Sequence, residues 1–282
     1  MLKTVGYTLF FSSLPADFQP LRIVHLSDLH GQLPVGNEAE LSERVHSLNP
    51  HLVVMTGDMV NAGTNHLTAE GRRAFLGLCR ALAALCPVYY SIGNHELEMP
   101  KQRLQIWLAK VSRTGVSVLD NAKAEFIHDG ISFPVFGLNI PLLYYKNPLR
   151  KPYDPHAKWT EGDMKRVFGP NVSSKQEGCG PSLLLAHNPL FFPAYRDWGA
   201  DITLSGHIHG GIFRLPFLGG VLSPDLSLFP KYDGGLFTES PSRHPKENKY
   251  LVVSRGLSDT FLKRIANPME IVCITVKGRS DS

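Results

Sequence analysis

An α/β protein of two packed β-sheets with helices outside is the fold the sequence predicts, and three observations lead there. Apolar runs rich in β-branched residues recur along the chain, amphipathic helical patterns separate several of them, and after residue 115 the rhythm changes to short strands without helices between. Alternating strand and helix marks a largely parallel sheet, and the later succession of strands calls for a second one. Because one α/β domain can reach about 250 residues, the 282 residues are expected to form a single domain over 1–282.

The elements follow in chain order. MLKTVGYTLFF holds one lysine and a short apolar run, and the SSLPADF after it lacks an A-x-A cleavage pattern, so it reads as a first strand and not as a signal peptide. LRIVHLS (21–27), HLVVMT (51–56), PVYYSI (87–92), SLLLAH (182–187) and ADITLSG (200–206) read as buried strands, since a strand covered on both faces needs a nearly continuous apolar run. Between them, EAELSERVHSL sets Leu41, Val45 and Leu48 on one helical face, and TAEGRRAFLGLCRALAAL repeats that pattern at greater length. PKQRLQIWLAKVSRTG opens with proline and closes with glycine, as helices prefer. VSVLD, KAEFIH and GISFPVFGL read as short strands, the last two joined through the hairpin dipeptide DG, and KYLVVSRG (249–256) and MEIVCITV (269–276) close the chain. Two stretches, 139–181 and 212–247, resist regular assignment and are expected to be irregular rim loops.

Composition narrows the function. Hydrophobic residues make up 43% and charged residues 19%, and the net charge of +4 comes from scattered basic residues, so no nucleic-acid patch is predicted. Cys79, Cys86, Cys179 and Cys273 form neither a C-x-x-C pair nor an even framework and read as reduced thiols. No stretch approaches the ~18 apolar residues of a membrane span. A cytoplasmic protein is expected, with peripheral contact to a membrane surface as the further option and no protein partner.

Chemistry gathers at five strand ends. SDLHG carries Asp28 and His30; TGDMVN carries Asp58; SIGNHE carries Asn94, His95 and Glu96; AHNP carries His187; and SGHIHGG carries His207 and His209. Strand alternation would send each pair of residues one apart to the same face. Ligands of parallel sheets sit beyond the carboxyl ends of strands, so the clusters should converge on one site. Two aspartates, an asparagine and four or five imidazoles, with no cysteine, suit a first-row cation such as manganese or iron, with zinc as a further choice. Seven candidate ligands, Asp28, His30, Asp58, Asn94, His187, His207 and His209, exceed what one open catalytic metal uses but suit two metals sharing a carboxylate. Asp58, central in chain order and on its own strand, is the natural bridge. Singly, each has an ordinary reading as helix cap, turn residue or core histidine. His25, His46 and His51 lack a partner pattern and keep such ordinary roles.

In their order, DLH, GD, GNHE, H and GHIH resemble the calcineurin-like metallophosphoesterase superfamily, from about Leu21 to Val276. HLSDLHG, SGHIHGGIFRLPF, FPKYDGG and SRGL are most similar to the bacterial YkuE and YaeI type of phosphoesterase. The resemblance implies a four-layer αββα sandwich, two mixed sheets flanked by helices, and a dinuclear metal site. It implies Asp28, His30, Asp58 and His209 around one metal, Asp58, Asn94, His187 and His207 around the other, and His95 as a proton donor that binds neither. There are departures. Asn61-Ala62-Gly63 and Ser91-Ile92 stand where the superfamily's protein phosphatases carry arginines, which disfavours a phosphoprotein substrate. His95 replaces the arginine of the commonest UDP-diacylglucosamine hydrolases, and Ile212 and Ser258 replace a glutamine and a glycine usual in the subgroup.

The expected reaction is hydrolysis of a phosphodiester, small or lipid-linked, by a hydroxide held between two divalent ions, first of all manganese. His95 protonates the leaving group, oriented by Glu96 or Asp58. The alternatives are a phosphomonoesterase, a nucleotide-type pyrophosphohydrolase and a metal-binding scaffold without catalysis. In the loops, Phe213, Leu215, Phe217, Leu218, Leu226, Leu228 and Phe229 lie on one stretch and Tyr144, Tyr145, Lys146, Arg150, Lys151 and Tyr153 on the other. They are expected either to form an amphiphilic rim for a phosphate headgroup with an apolar tail or to pack onto the sandwich.

Overall fold

The computed structural model describes residues 2–33, 37–61, 69–145, 154, 156–169, 179–211, 213–215, 219–222, 228–241, 248–258, 264 and 266–279, without the side chains of Phe213 and Leu215. The first half runs β1 (Leu2–Phe11), β2 (Leu21–Leu26), α1 (Glu38–His46), β3 (Leu52–Thr56), α2 (Ala69–Ala83), β4 (Val88–Ser91), α3 (Asn94–Leu97), α4 (Lys101–Ser112) and β5 (Ser117–Val118). The second runs β6 (Ala122–His128), β7 (Ile131–Leu138), α5 (Glu161–Phe168), β8 (Leu183–Ala186), α6 (Phe192–Trp198), β9 (Ile202–Ser205), β10 (Phe213–Leu215), β11 (Gly219–Leu222), β12 (Gly235–Glu239), β13 (Lys249–Val253) and β14 (Met269–Gly278).

Two six-stranded mixed sheets result, ordered β1-β14-β2-β3-β4-β5 and β12-β13-β9-β8-β7-β6. In the first, β2, β3, β4 and β5 are parallel and β14 runs against β2; in the second, β13, β9, β8 and β7 are parallel, with β12 and β6 antiparallel at the edges. Alternation along the buried strands divides their side chains between two apolar layers. Ile23, Val54, Val135, Leu185 and Leu204 face the space between the sheets, whereas Val24, Val53, Met55 and Tyr90 face outward to Leu41, Phe75, Leu78 and Trp107 of the helices. Leu184, Ala186 and Val253 face the other way, onto Met164, Phe192, Tyr195 and Trp198. These are the four layers of an αββα sandwich, each fully buried aliphatic side chain contributing about 1.5–3 kcal/mol. At the DG hairpin between β6 and β7, Asp129 (φ 51°) and Gly130 (φ 74°) adopt the two left-handed conformations that a tight primed turn demands.

The two stretches expected to be irregular hold regular elements. Residues 139–181 contain α5, whose Thr160 and Asp163 exchange reciprocal cap hydrogen bonds. Residues 212–247 contain the β10–β11 hairpin and β12, which adds an edge strand to the second sheet. Ala62, Gly63, Lys146, Arg150, Lys151, Tyr153, Ile212, Phe217, Leu218 and Leu226 lie outside the described residues.

Candidate active site

All the sequence-predicted site residues are described, and none of the paired ones sits on a strand. β2 ends at Leu26 and β9 at Ser205, so Asp28, His30, His207 and His209 belong to the turns that follow. Strand alternation is therefore not what aims them. Asp28, His30, Asp58, His207 and His209 all have positive φ, between 50° and 70°. Non-glycine residues rarely adopt this left-handed region, and such backbone gathers at functional sites, held by its surroundings. Here the loops zip to one another: Asp28 N–H donates to the Gly57 carbonyl (3.1 Å), His30 N–H to that of Asp58 (2.9 Å) and Gly206 N–H to that of His187 (3.1 Å).

The side chains converge from both sheets. Ligand-type atoms of Asp28, His30 and His209 lie within 4.8 Å of one another, as do those of His30, Asp58 and His95 and those of Asp58, His187 and His207. His30 and Asp58 thus link the three groups into one chain. His187 Nε2 lies 3.0 Å from Asp58 Oδ2, His209 Nε2 lies 3.3 Å from Asp28 Oδ1, and the Nε2 atoms of His30 and His209 are 3.1 Å apart. The His207 N–H donates to the Asp28 carboxylate (3.1 Å), tying the second sheet to the first. Asn94 opens α3 beside His95, and its Oδ1 is buried without a hydrogen bond.

Burial sets the electrostatics. It pushes the Asp28 carboxyl up to about 6, against the pull of His187. It also pushes Asp58 up, but the imidazoles of His187 and His95 outweigh it and hold that carboxyl well below the usual range. His187, which burial alone would lower, rises to about 9 through Asp58. Burial and the neighbouring His95 bring His30 down to about 4, and burial with His30 and Arg264 holds His209 well below its ordinary value. The result is a pocket of one buried ion pair and bare imidazole lone pairs, which is donor chemistry for a cation.

Around these groups stand residues to which motif reading gave no part in orienting the imidazoles. The Asn61 Oδ1 lies 2.8 Å from His30 Nδ1, the Thr56 carbonyl accepts from His187 Nδ1 at 2.6 Å, and Arg264 Nη2 lies 3.2 Å from His209 Nδ1. Such partners fix ring orientation and tautomer. Asn61 was within reach of the sequence, three residues beyond Asp58; Arg264 carries no motif signal. Glu96 does not orient His95. Its buried carboxylate accepts from the N–H groups of Asp58, Met59, Val60 and Gly93 and from the Tyr90 hydroxyl, at 2.8–3.2 Å, and so holds the β3 and β4 turns together. Asp58 is the group beside His95, accepting its N–H at 2.8 Å with the ring Nε2 3.8 Å from Oδ2. Ser258 Oγ, at the departure from glycine, donates to the Asp28 carbonyl at 2.8 Å.

An αββα sandwich with a buried carboxylate and imidazole cluster across its two sheets is the frame of a metal-dependent phosphoester hydrolase. Residues 21–211 match the family model described as calcineurin-like phosphoesterase, and the chain belongs to that family, whose members use dinuclear metal sites. Metallophosphoesterase YkuE of Bacillus subtilis is 26% identical over 99% of this chain and 86% of its own length. The UDP-2,3-diacylglucosamine pyrophosphatase LpxG of Chlamydia trachomatis is 27% identical over 91% and 83%, and phosphodiesterase YaeI of Escherichia coli is 25% identical over 73% and 66%. Among the described residues, no helix is long and apolar enough to cross a membrane.

Proposed function

We propose that the protein is a dinuclear phosphodiesterase acting on a small or lipid-linked phosphodiester. Asp28, His30, Asp58 and His209 would hold one divalent ion, and Asp58, Asn94, His187 and His207 the other, manganese being the first choice and iron or zinc the others. The observation that carries the reading is the face-to-face placement of His187 and Asp58. The Thr56 carbonyl only accepts, so His187 Nδ1 carries a hydrogen and Nε2 is left to face the Asp58 carboxylate at 3.0 Å. At that distance a proton bridges the two groups as an ion pair, in the place that a cation held by both would take. The unpartnered Asn94 Oδ1 supports the same fit.

Two bound divalent ions supply an activated water at neutral pH and neutralise charge growing on the phosphoryl oxygens. The chain's own residues do the rest. Asp58 holds both halves of the site in register, Asn61, Thr56 and Arg264 fix the three imidazoles, and His95 delivers a proton to the leaving oxygen. The LpxG relative favours a second reading, a pyrophosphohydrolase acting on a nucleotide-linked lipid. Removing the shared carboxylate oxygen in Asp58→Asn tests the dinuclear reading. The variant is expected to lose most of its metal by elemental analysis and nearly all turnover, while its circular dichroism stays that of the wild type. Two retained metals with wild-type turnover would overturn it. A hydrolysis panel of short diesters, monoesters and nucleotide-linked lipids on manganese-loaded wild type then separates the two substrate readings.

A further inference from the structure

β7 is parallel to β8, so its carboxyl end opens on the same edge of the second sheet as the His187 loop. No motif marks it. A short 3₁₀ turn, Leu142–Tyr144, follows, and Tyr145 closes it, its N–H donating to the Leu142 carbonyl at 3.0 Å. Expected either on the rim or packed onto the sandwich, Tyr145 is buried, at 4% exposure, in one apolar cluster with Trp159, Phe192 and Tyr195. Its ring meets His207 edge-on at 5.0 Å between centroids and lies 6.2 Å from His187.

The hydroxyl distinguishes it. A buried tyrosine normally gives its O–H to a protein acceptor. Tyr90 donates to Glu96, Tyr195 to the Asn188 carbonyl, Tyr232 to Glu239 and Tyr89 to the Glu125 carbonyl. Tyr145 donates to none among the described residues. A phenol hydroxyl is a neutral donor at pH 7, the kind of group that stabilises charge developing on a phosphoryl oxygen. His95, 4.6 Å from His30 between ring centroids, stands over the opposite half of the cluster, so a phosphoryl group spanning both halves meets one donor at each end.

We propose that Tyr145 is a catalytic residue, its O–H donating a hydrogen bond to a non-bridging phosphoryl oxygen of the substrate while His95 serves the leaving oxygen. The proposal rests on the ligand assignment above. Its test is Tyr145→Phe, which keeps the ring and removes only the donor. Melting temperature and metal content are expected to match the wild type. Affinity for inorganic phosphate, measured by calorimetry, should fall about tenfold, and kcat/KM for bis(4-nitrophenyl) phosphate about ten- to a hundredfold, as for one lost hydrogen bond to a charged oxygen. Wild-type phosphate affinity and turnover in the variant would overturn the proposal, and so would lost metal or a lowered melting temperature, which would make the hydroxyl structural. Wild-type protein that binds no metal and hydrolyses nothing defeats the dinuclear reading instead, while the phosphate titration still reports on Tyr145.

Discussion

His95 keeps 30% of its side chain exposed, against 0% for His187 and 6% for His209, so of these three imidazoles it is the one open to solvent, as the proposed proton donor has to be. A donor must reach an atom that arrives from solvent. His95→Ala is therefore expected to leave metal content near normal and to lower turnover of an alkyl diester by about 10²–10⁴, with a much smaller loss for a 4-nitrophenyl leaving group that needs no proton. An equal loss on both substrates would contradict the role. At this scale the motifs encode contacts as well as candidate ligands. A Cβ at Gly93 would collide with Asp58 Oδ1, and one at Gly206 with Ser27 Oγ and Asp28 Oδ2, so the glycines of GNHE and SGHIH let the loops close on the carboxylates. Glu96 and Asp58 were both open as partners of His95, because adjacency in sequence cannot show that the Glu96 carboxylate turns back to the β3 turn. Of the two readings left open for Tyr145, rim or packing, burial bears out packing, in one apolar cluster with Trp159 and Phe192, which are remote in sequence.

Among the elements, those with a continuous apolar run or a long helical face were legible, and those whose stability comes from neighbours were not. α5 has eight residues and buries only Asp163 and Met164, so periodicity could not reveal it. Its start was nonetheless written in Thr160-x-x-Asp163. The Asp163 carboxylate accepts from the Thr160 N–H at 2.8 Å and the Thr160 hydroxyl at 2.6 Å, and it also pairs with Arg166. Burial pushes that carboxyl up, but the two Thr160 hydrogen bonds and Arg166 outweigh it and leave it below the ordinary 3.8. With the folded value depressed, the stabilisation is fully present above the unfolded value and is lost as pH falls through the folded one. Asp163→Ala should thus cost about 1 kcal/mol in urea unfolding at pH 7, within the usual range for a helix cap. The gap to wild type should narrow at pH 3 and below; a gap that stays constant into acid would show that packing, and not the ionised cap, holds α5.

For the whole molecule, the site exists only where two sheets meet, since Asp28, His30, Asp58, Asn94 and His95 leave the first sheet and His187, His207, His209 and Tyr145 the second. Strand ends were readable as sites because parallel topology points them to one edge. What stands above that edge was not readable, because rim loops follow no period. The β10–β11 hairpin is fixed next to His209, Arg214 Nη1 donating to the Gly210 carbonyl at 2.8 Å. The chain returning past it bonds back through the Phe229 N–H to the Val221 carbonyl at 2.9 Å. On that return segment Leu228 and Phe229 are 69% and 59% exposed, and Lys231 follows them with 66% of its side chain exposed. Apolar side chains in water form a surface suited to an acyl tail, while the Lys231 ammonium pairs with Glu239 at 2.8 Å. If the substrate is lipid-linked, Leu228→Ser with Phe229→Ser should lower kcat/KM for a long-chain diester at least tenfold, since each buried methylene of tail contributes about 0.8 kcal/mol. Hydrolysis of a short soluble diester should stay within about twofold, because neither side chain belongs to the metal cluster. Equal losses on the two substrates, with melting temperature unchanged, would return the substrate to the small soluble class and leave these residues without a part in tail recognition.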